Sequence, residues 1–198
     1  MTKIKNSEIY RKVLHLFSSI IPLSYFFLIK DRQTIYILLF IILCIALIIE
    51  YKRNKVGSIL RIIFLKHLNL ILRRSELKGG ITGATWMILS FTLTVFLFDM
   101  QVAVPALLFL SIGDSVAALF GIKYPIGRIW DKSFSGTLIG TLTCIIIVLA
   151  INQTLSPIII ILGAISAMAI ELLPLKINDN FSIPIFSGII MHVLSKII

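Results

Sequence analysis

The sequence predicts an all-α, polytopic integral membrane bundle of about seven transmembrane helices plus one interfacial amphipathic helix. Three observations predict it. Of 198 residues, 58% are hydrophobic and only 14% charged, and the mean hydropathy is +1.03. A soluble domain carries about 25% charged and roughly 45–50% apolar residues, and a chain this short has no core large enough to hide the excess. The apolar residues also gather into seven runs. Since one span takes about 20 residues, the runs leave no room for a separate soluble domain, and a single membrane domain over 1–198 is expected. Finally, 19 Lys and Arg stand against 9 Asp and Glu, a formal net charge of +10. In a soluble protein that balance points to nucleic acid. Here the basic residues fall in short loops with no aromatic-interleaved basic domain, so membrane topology explains them and no nucleic-acid partner is expected.

The runs follow in order. The polar first ten residues lead into 13–29, which is followed by Lys30, Asp31 and Arg32 where a cleaved signal peptide would need small residues, so it reads as a retained first span. The second run is 35–50. Across 57–74, Ile59, Leu60, Ile62, Ile63, Phe64, Leu68, Ile71 and Leu72 alternate with Arg61, Lys66, His67, Arg73 and Arg74 at roughly helical spacing. So many charges cannot span cheaply, and the segment (about 56–78) reads as an interfacial amphipathic helix or a short cytoplasmic hairpin. The remaining runs are 81–98, 102–120, 136–151, 156–173 and 183–198. With a cytoplasmic N-terminus, 16 of the basic residues, among them Lys3, Lys5 and Lys176, fall on the cytoplasmic side, against Lys30, Arg32 and Lys196 on the other. Cys44 and Cys144 sit alone inside apolar runs and read as small fillers rather than a disulfide or metal pair.

An ionisable group in or against an apolar run costs a few kcal/mol unless it meets a partner or a wet cavity. His15, Asp114, Glu171 and, just beyond a span end, Asp179 with Asn180 are such groups. At 1.5 Å per residue they lie within roughly 10 Å of the cytoplasmic edge. Glu8, Arg11, Lys12 and His15 recur at spacings that put them on one helical face; a plain basic anchor is the alternative. Gly113, Ser115, Ala117, Ala118 and Gly121 are small residues that suit close helix packing, but packing does not explain Asp114. A carboxylate is what Mg²⁺ takes, one or two of them with substrate phosphates completing the shell. Arg128, Lys132 and Ser133, in a loop bearing Gly127 and Gly136, supply donors for such phosphates. Asp179 and Asn180 have a second reading as turn residues or a helix cap. No P-loop, protein-kinase set or zinc H-E-x-x-H motif occurs.

Four of these groups, in order, resemble the membrane CTP-dependent lipid kinases, a family that includes dolichol kinase, phytol kinase and a CTP-dependent diacylglycerol kinase. Glu8, Arg11, Lys12 and His15 are similar to its E-x-x-R-K-x-x-H opening; Arg74, Glu76, Gly83, Thr85 and Trp86 loosely resemble its next stretch. Gly113-Asp114, Ala117-Ala118, Gly121, Gly127, Lys132-Ser133 and Gly136 are similar to its G-D-x-x-A-A-x-x-G…K-S-x-x-G block, and Asp179-Asn180 with Pro184 to its closing D-N-x-x-x-P. Ser135 stands where many members have Glu. The central block also resembles phosphatidate cytidylyltransferases, whose R-x-D-R-x-D signature is missing here.

The resemblance implies transfer of the γ-phosphate of CTP to the hydroxyl of a membrane lipid alcohol such as diacylglycerol, a polyprenol or phytol. Asp114 and Asp179 are then expected to bind Mg²⁺, with one of them or Glu171 as base. Arg11, Lys12, Arg128, Lys132 and Ser133, with the backbone at Gly113, Gly121 and Gly136, would hold the nucleotide. Asn180 and His15 would orient ligands. A small transporter or scaffold would instead distribute polar groups across the membrane depth, where the outer half has only Asp31 and Asp99 at loop ends and a lone His192. The small-residue faces would permit a homodimer.

Overall fold

The computed structural model describes residues 6–55, 57–68, 71–151, 154–175 and 177–198. Lys3, Lys5 and Lys176 of the charge asymmetry lie outside the described residues, as do positions 56, 69 and 70 of the interfacial segment.

The chain is helical almost throughout. Helices α1 (Asn6–Phe17) and α2 (Ile20–Ser24) run into a π-helical turn at Tyr25–Ile29. Lys30, in the left-handed region at φ 53°, breaks that stretch, and Asp31 caps α3 (Arg32–Arg53) by accepting from the Thr34 N–H at 2.8 Å. Next come α4 (Ile59–His67), α5 (Arg74–Leu77) and α6 (Gly83–Leu97), the last capped by Thr82. Helix α7 (Met100–Leu108), a second π-helical turn (Phe109–Asp114) and α8 (Ser115–Lys123) form one continuous stretch. Two-residue strands β1 (Arg128–Ile129) and β2 (Lys132–Ser133) pair antiparallel, and α9 (Phe134–Ile151), α10 (Pro157–Leu172) and α11 (Asp179–Ile197) complete the bundle.

Among the described residues, five stretches are long and apolar enough to cross a membrane: Ser7–Ile29, Arg32–Arg53, Met100–Lys123, Phe134–Ile151 and Asp179–Ile197. Helices α6 and α10 are equally apolar but have 15 and 16 residues. The Met100–Lys123 stretch is apolar on every side and forms the centre, with Leu107, Phe109 and Leu110 fully buried. Helices α1, α6, α9, α10 and α11 pack around it. Outside, α3 turns Ile37, Phe40, Ile41 and Ile48 away from the protein, the surface a helix offers to lipid.

Close packing between α8 and α9 depends on glycine. A Cβ on Gly136 would run into the Ala117 carbonyl oxygen and come within 2.9 Å of the Gly121 Cα. These small residues bring the two backbones together, as in other membrane helix pairs.

Three details differ from expectation. The interfacial segment is neither one long helix nor a plain hairpin: α4 has nine residues with none buried, and α5 is a separate turn closed by Glu76, which accepts from the Arg73 N–H at 2.8 Å. Helix α11 begins at Asp179, ahead of the apolar run, because Asn178 caps it by accepting from the Asn180 N–H at 3.0 Å. The β1–β2 ladder interrupts an otherwise all-α chain.

Candidate functional site

Asp114 closes the π-helical turn of the central stretch. Pro105, inside α7, has no N–H for the helical ladder, and the helix widens a turn later, a distortion often found at functional sites. The Asp114 side chain ends 3% exposed. Helix α1 packs on this turn and on α8, and its polar face meets the carboxylate: Lys12 Nζ lies 2.6 Å from Asp114 Oδ2. His15 Nδ1 stands 3.6 Å from the same oxygen, beyond hydrogen-bond length, and has no hydrogen-bond partner among the described residues. Glu8 pairs with Arg11 along the helix.

A second group is built by the β-hairpin. Trp130, left-handed at φ 50°, and Asp131 make the tight connection that carries Lys132 toward the ends of α10 and α11. The Lys132 ammonium lies 2.6 Å from Glu171 Oε1 and 3.2 Å from Asp179 Oδ2, and it also donates to the Glu171 carbonyl. Burial opposes its charge, but the Glu171 and Asp179 carboxylates outweigh burial and raise its pKa above the ordinary 10.5. Glu171 is 4% exposed, and its second carboxylate oxygen has no hydrogen-bond partner among the described residues. Ser133 Oγ accepts from the Gly136 N–H at 3.1 Å and so opens α9. Ser135 Oγ donates to the Tyr124 carbonyl at 2.5 Å and accepts from the Ile126 N–H; it braces the hairpin and faces neither cavity described below.

A third group joins Glu76, Gly83, Thr85 and Asn180, which the sequence motifs include, to Glu50, Arg53 and Thr82, which sequence reasoning passed over. Glu50, at the end of α3, accepts from the Thr82 N–H (2.9 Å), the Thr85 hydroxyl (3.0 Å) and Arg53. Arg53 also donates to the carbonyls of Glu76 and Gly80, each at 2.8 Å, and Glu76 accepts from the Gly83 N–H at 2.9 Å. Asn180 Nδ2 then donates to the Gly83 carbonyl at 2.8 Å and ties α11 to the start of α6. The signal was available: Glu50 and Arg53 are an i, i+3 acid–base pair at the end of an apolar run.

Two adjoining cavities bring the groups together. One, about 340 Å³, is lined by apolar side chains that include Leu14, Ala46, Ile49, Phe64 and Met87, and by polar ones that include Arg11, His15 and Asn180. The other, about 640 Å³, is lined by Gly121, Arg128, Asp131, Lys132, Ser133 and Glu171. Glu8, Lys12, Arg73, Asp114 and Asp179 line both. Arg73, absent from the expected site, makes no ion pair among the described residues. Gly113 and Gly136 line neither cavity. A Cβ on Gly113 would strike Cys144 Sγ, and one on Gly136 the Ala117 carbonyl oxygen, so both glycines serve close helix contacts.

Among the described residues, no three His, Cys, Asp or Glu side chains cluster closely enough to hold a metal by themselves. Asp114 and Asp179 both border the two cavities, and each faces a lysine, Lys12 and Lys132 respectively.

No family model matches the chain, and no solved structure matches it. The chain is 33% identical over 183 residues to the uncharacterized protein RP860 of Rickettsia prowazekii (strain Madrid E), a match covering 88% of each chain.

Proposed function

The chain belongs to the same family as that rickettsial protein, and we propose, from the site rather than from this kinship, that it is a lipid kinase. It would transfer the γ-phosphate of a nucleoside triphosphate, CTP by the resemblance of its motifs, to the hydroxyl of a membrane lipid alcohol. The observation that carries this reading is the shared wall of the two cavities. A largely apolar chamber and a chamber lined by both cations (Arg73, Arg128, Lys132) and carboxylates (Asp131, Glu171) meet at Asp114, Asp179 and Lys12, an arrangement that suits a lipid hydroxyl brought against a metal-bound polyphosphate.

In this reading the lipid lies along Leu14, Ile49 and Met87, with its hydroxyl toward the polar side chains. Lys12, Arg128, Lys132 and Ser133 bind phosphate oxygens, Arg11 and Arg73 add charge at the boundary, and His15 and Asn180 orient the ligands. The lipid oxygen attacks the γ-phosphorus, the bond to the β,γ-bridging oxygen breaks, the nucleoside diphosphate leaves, and the hydroxyl proton passes to Asp114, Asp179 or Glu171. Mg²⁺, held by Asp114 and Asp179, would supply neutralisation of the phosphate charge. Such reactions ask little covalent chemistry of the protein; positioning and charge carry the rate. The lysines are paired with the carboxylates, and an arriving triphosphate offers them an alternative anion.

For topology we propose seven spans, with α6 and α10 completing the five longer ones, and an N-terminus and site on the cytoplasmic side. The asymmetry of Lys and Arg supports that orientation.

The test is purified protein with γ-labelled CTP or ATP and a panel of diacylglycerol, polyprenols and phytol. Label in the lipid is expected. A CMP-lipid with pyrophosphate would make the chain a cytidylyltransferase, and no nucleotide-dependent product at all would favour a transporter or scaffold.

A further inference from the structure

Between Tyr51 and Gly80 the chain carries eight Lys and Arg and a single acid, Glu76. That acid is buried, and its carboxylate is used by the N–H groups of Arg73 and Gly83. Arg53 is countered by Glu50. Arg61 and Lys78 make no ion pair among the described residues.

These two cations line one further cavity, of about 300 Å³, together with Phe64, Leu65, Leu72 and Leu77. No carboxylate lines it. Phe64 and Leu72 also wall the apolar chamber of the candidate site, so the two hollows stand back to back. Helix α4 has no buried residue, and Ile59 and Ile62 are 74% and 61% exposed. A short helix with that much uncovered apolar surface and Lys and Arg beside it lies in the membrane interface, its apolar side among the acyl chains. The hollow beneath it is then at headgroup depth. It offers apolar walls for a chain and two uncountered cations for an anion, one of them a guanidinium, whose planar fork matches phosphate.

We propose that this cavity binds the headgroup phosphate of an anionic glycerophospholipid from the surrounding leaflet, with Arg61 and Lys78 as the phosphate partners. The bound lipid pins α4 and the Leu72–Gly79 turn, and with them a wall of the neighbouring apolar chamber. The site stands whether or not the chain is a kinase, because its geometry uses none of the carboxylates assigned to that reaction.

Native mass spectrometry of the detergent-purified full chain, titrated with phosphatidylglycerol or with phosphatidylcholine of identical chains and without nucleotide, tests it. One phosphatidylglycerol is expected to bind in preference to phosphatidylcholine. Arg61→Gln with Lys78→Gln should weaken it about 100-fold or more, on the order of tenfold for each charge-assisted contact to the phosphate lost. Lys55→Gln with Lys66→Gln removes the same charge from the same segment outside the cavity and should leave binding unchanged. Equal weakening in the two doubles would mean a diffuse basic surface and overturn the site. So would equal binding of the two lipids, or displacement of phosphatidylglycerol by millimolar glycerol phosphate.

Discussion

Lys12 of α1 and Asp114 of the central π-helical turn, 102 positions apart in the chain, meet at 2.6 Å with both side chains largely buried. The contact fastens the N-terminal helix, which opens the bundle, to the stretch at its centre. Removing one member of such a pair strands the other charge, whereas removing both is often nearly neutral. Lys12→Met is therefore expected to cost about 3–5 kcal/mol, and Lys12→Met with Asp114→Asn to recover most of that loss. Unfolding in mixed micelles measures both; a double variant no more stable than the single one would mean that the pair is not what holds α1.

Asp114→Asn keeps the shape of the side chain and removes its charge. If the carboxylate acts at the shared wall, transfer of label to lipid should fall about 10²–10³-fold, the usual effect of losing one preorganised electrostatic group. The variant also leaves Lys12 uncountered and loses stability for that reason, so turnover is compared at a temperature well below its unfolding midpoint, on the fraction that stays monodisperse in size-exclusion chromatography. Undiminished turnover would remove Asp114 from the site.

Arg73 borders both cavities and is exposed, so its loss should not affect stability. Arg73→Gln is expected to raise the KM for nucleotide about tenfold, as the loss of a charge-assisted phosphate contact does, while the midpoint of thermal unfolding stays within error. A fall in that midpoint would instead make Arg73 part of the scaffold.

Lys132 gives the fold a pH dependence on the alkaline side. Its pKa is raised above 10.5 by Glu171 and Asp179, against the effect of burial. The folded state therefore holds this proton more tightly than the unfolded state, and the stabilisation is complete below the ordinary value of 10.5 and lost as pH climbs through the higher folded value. Unfolding followed from about pH 8 to about pH 12 should show that decline, and Lys132→Met should flatten it. A slope unchanged by the substitution would assign the decline to other groups.

Gly136 leaves no room for a side chain against Ala117 and Gly121. Gly136→Ala is expected to destabilise by about 1–3 kcal/mol, the usual cost of overfilling a packed contact. Unfolding in micelles reads this directly; a neutral substitution would show that α8 and α9 can slide apart.

Much of this architecture was legible because a charge in an apolar run is expensive and therefore conspicuous. Asp114, Glu171 and His15 stood out on that ground alone, and the structure brings them to one pair of cavities with Lys12, Lys132 and Asp179. Glu50 escaped notice because it sits at a run's end beside Tyr51 and Lys52, where an acid looks like a boundary; only the fold brings Thr82 and Thr85 to it. The π-helical turn at Phe109–Asp114 was equally hidden, since its hydropathy is the same whichever carbonyl each N–H finds. Gly113 and Gly136 carry two meanings in a sequence, ligand cradle and helix contact, and only the fold shows what stands against them: Cys144 and Met168 side chains at Gly113, the Ala117 and Gly121 backbone at Gly136. The start of α11 was hidden for a related reason: Asn178 and Asp179 read equally well as a loop or as a helix beginning.

The two short helices give the surrounding bilayer a say in how the site works. At 15 and 16 residues, α6 and α10 are only about 23–24 Å long, less than the roughly 30 Å of hydrocarbon in a typical membrane. If they span the membrane, as in the proposed topology, the lipid beside them must thin, or water must follow their ends inward, each at a modest cost per ångström of mismatch. Thr82, Thr85 and Glu171 lie at those ends and line the cavities, so in that topology a thinning on their side would reach the site. Acyl-chain length in the host membrane would then set how deep the aqueous recess reaches, and chains of different length in reconstituted bilayers would open or close it without touching the protein.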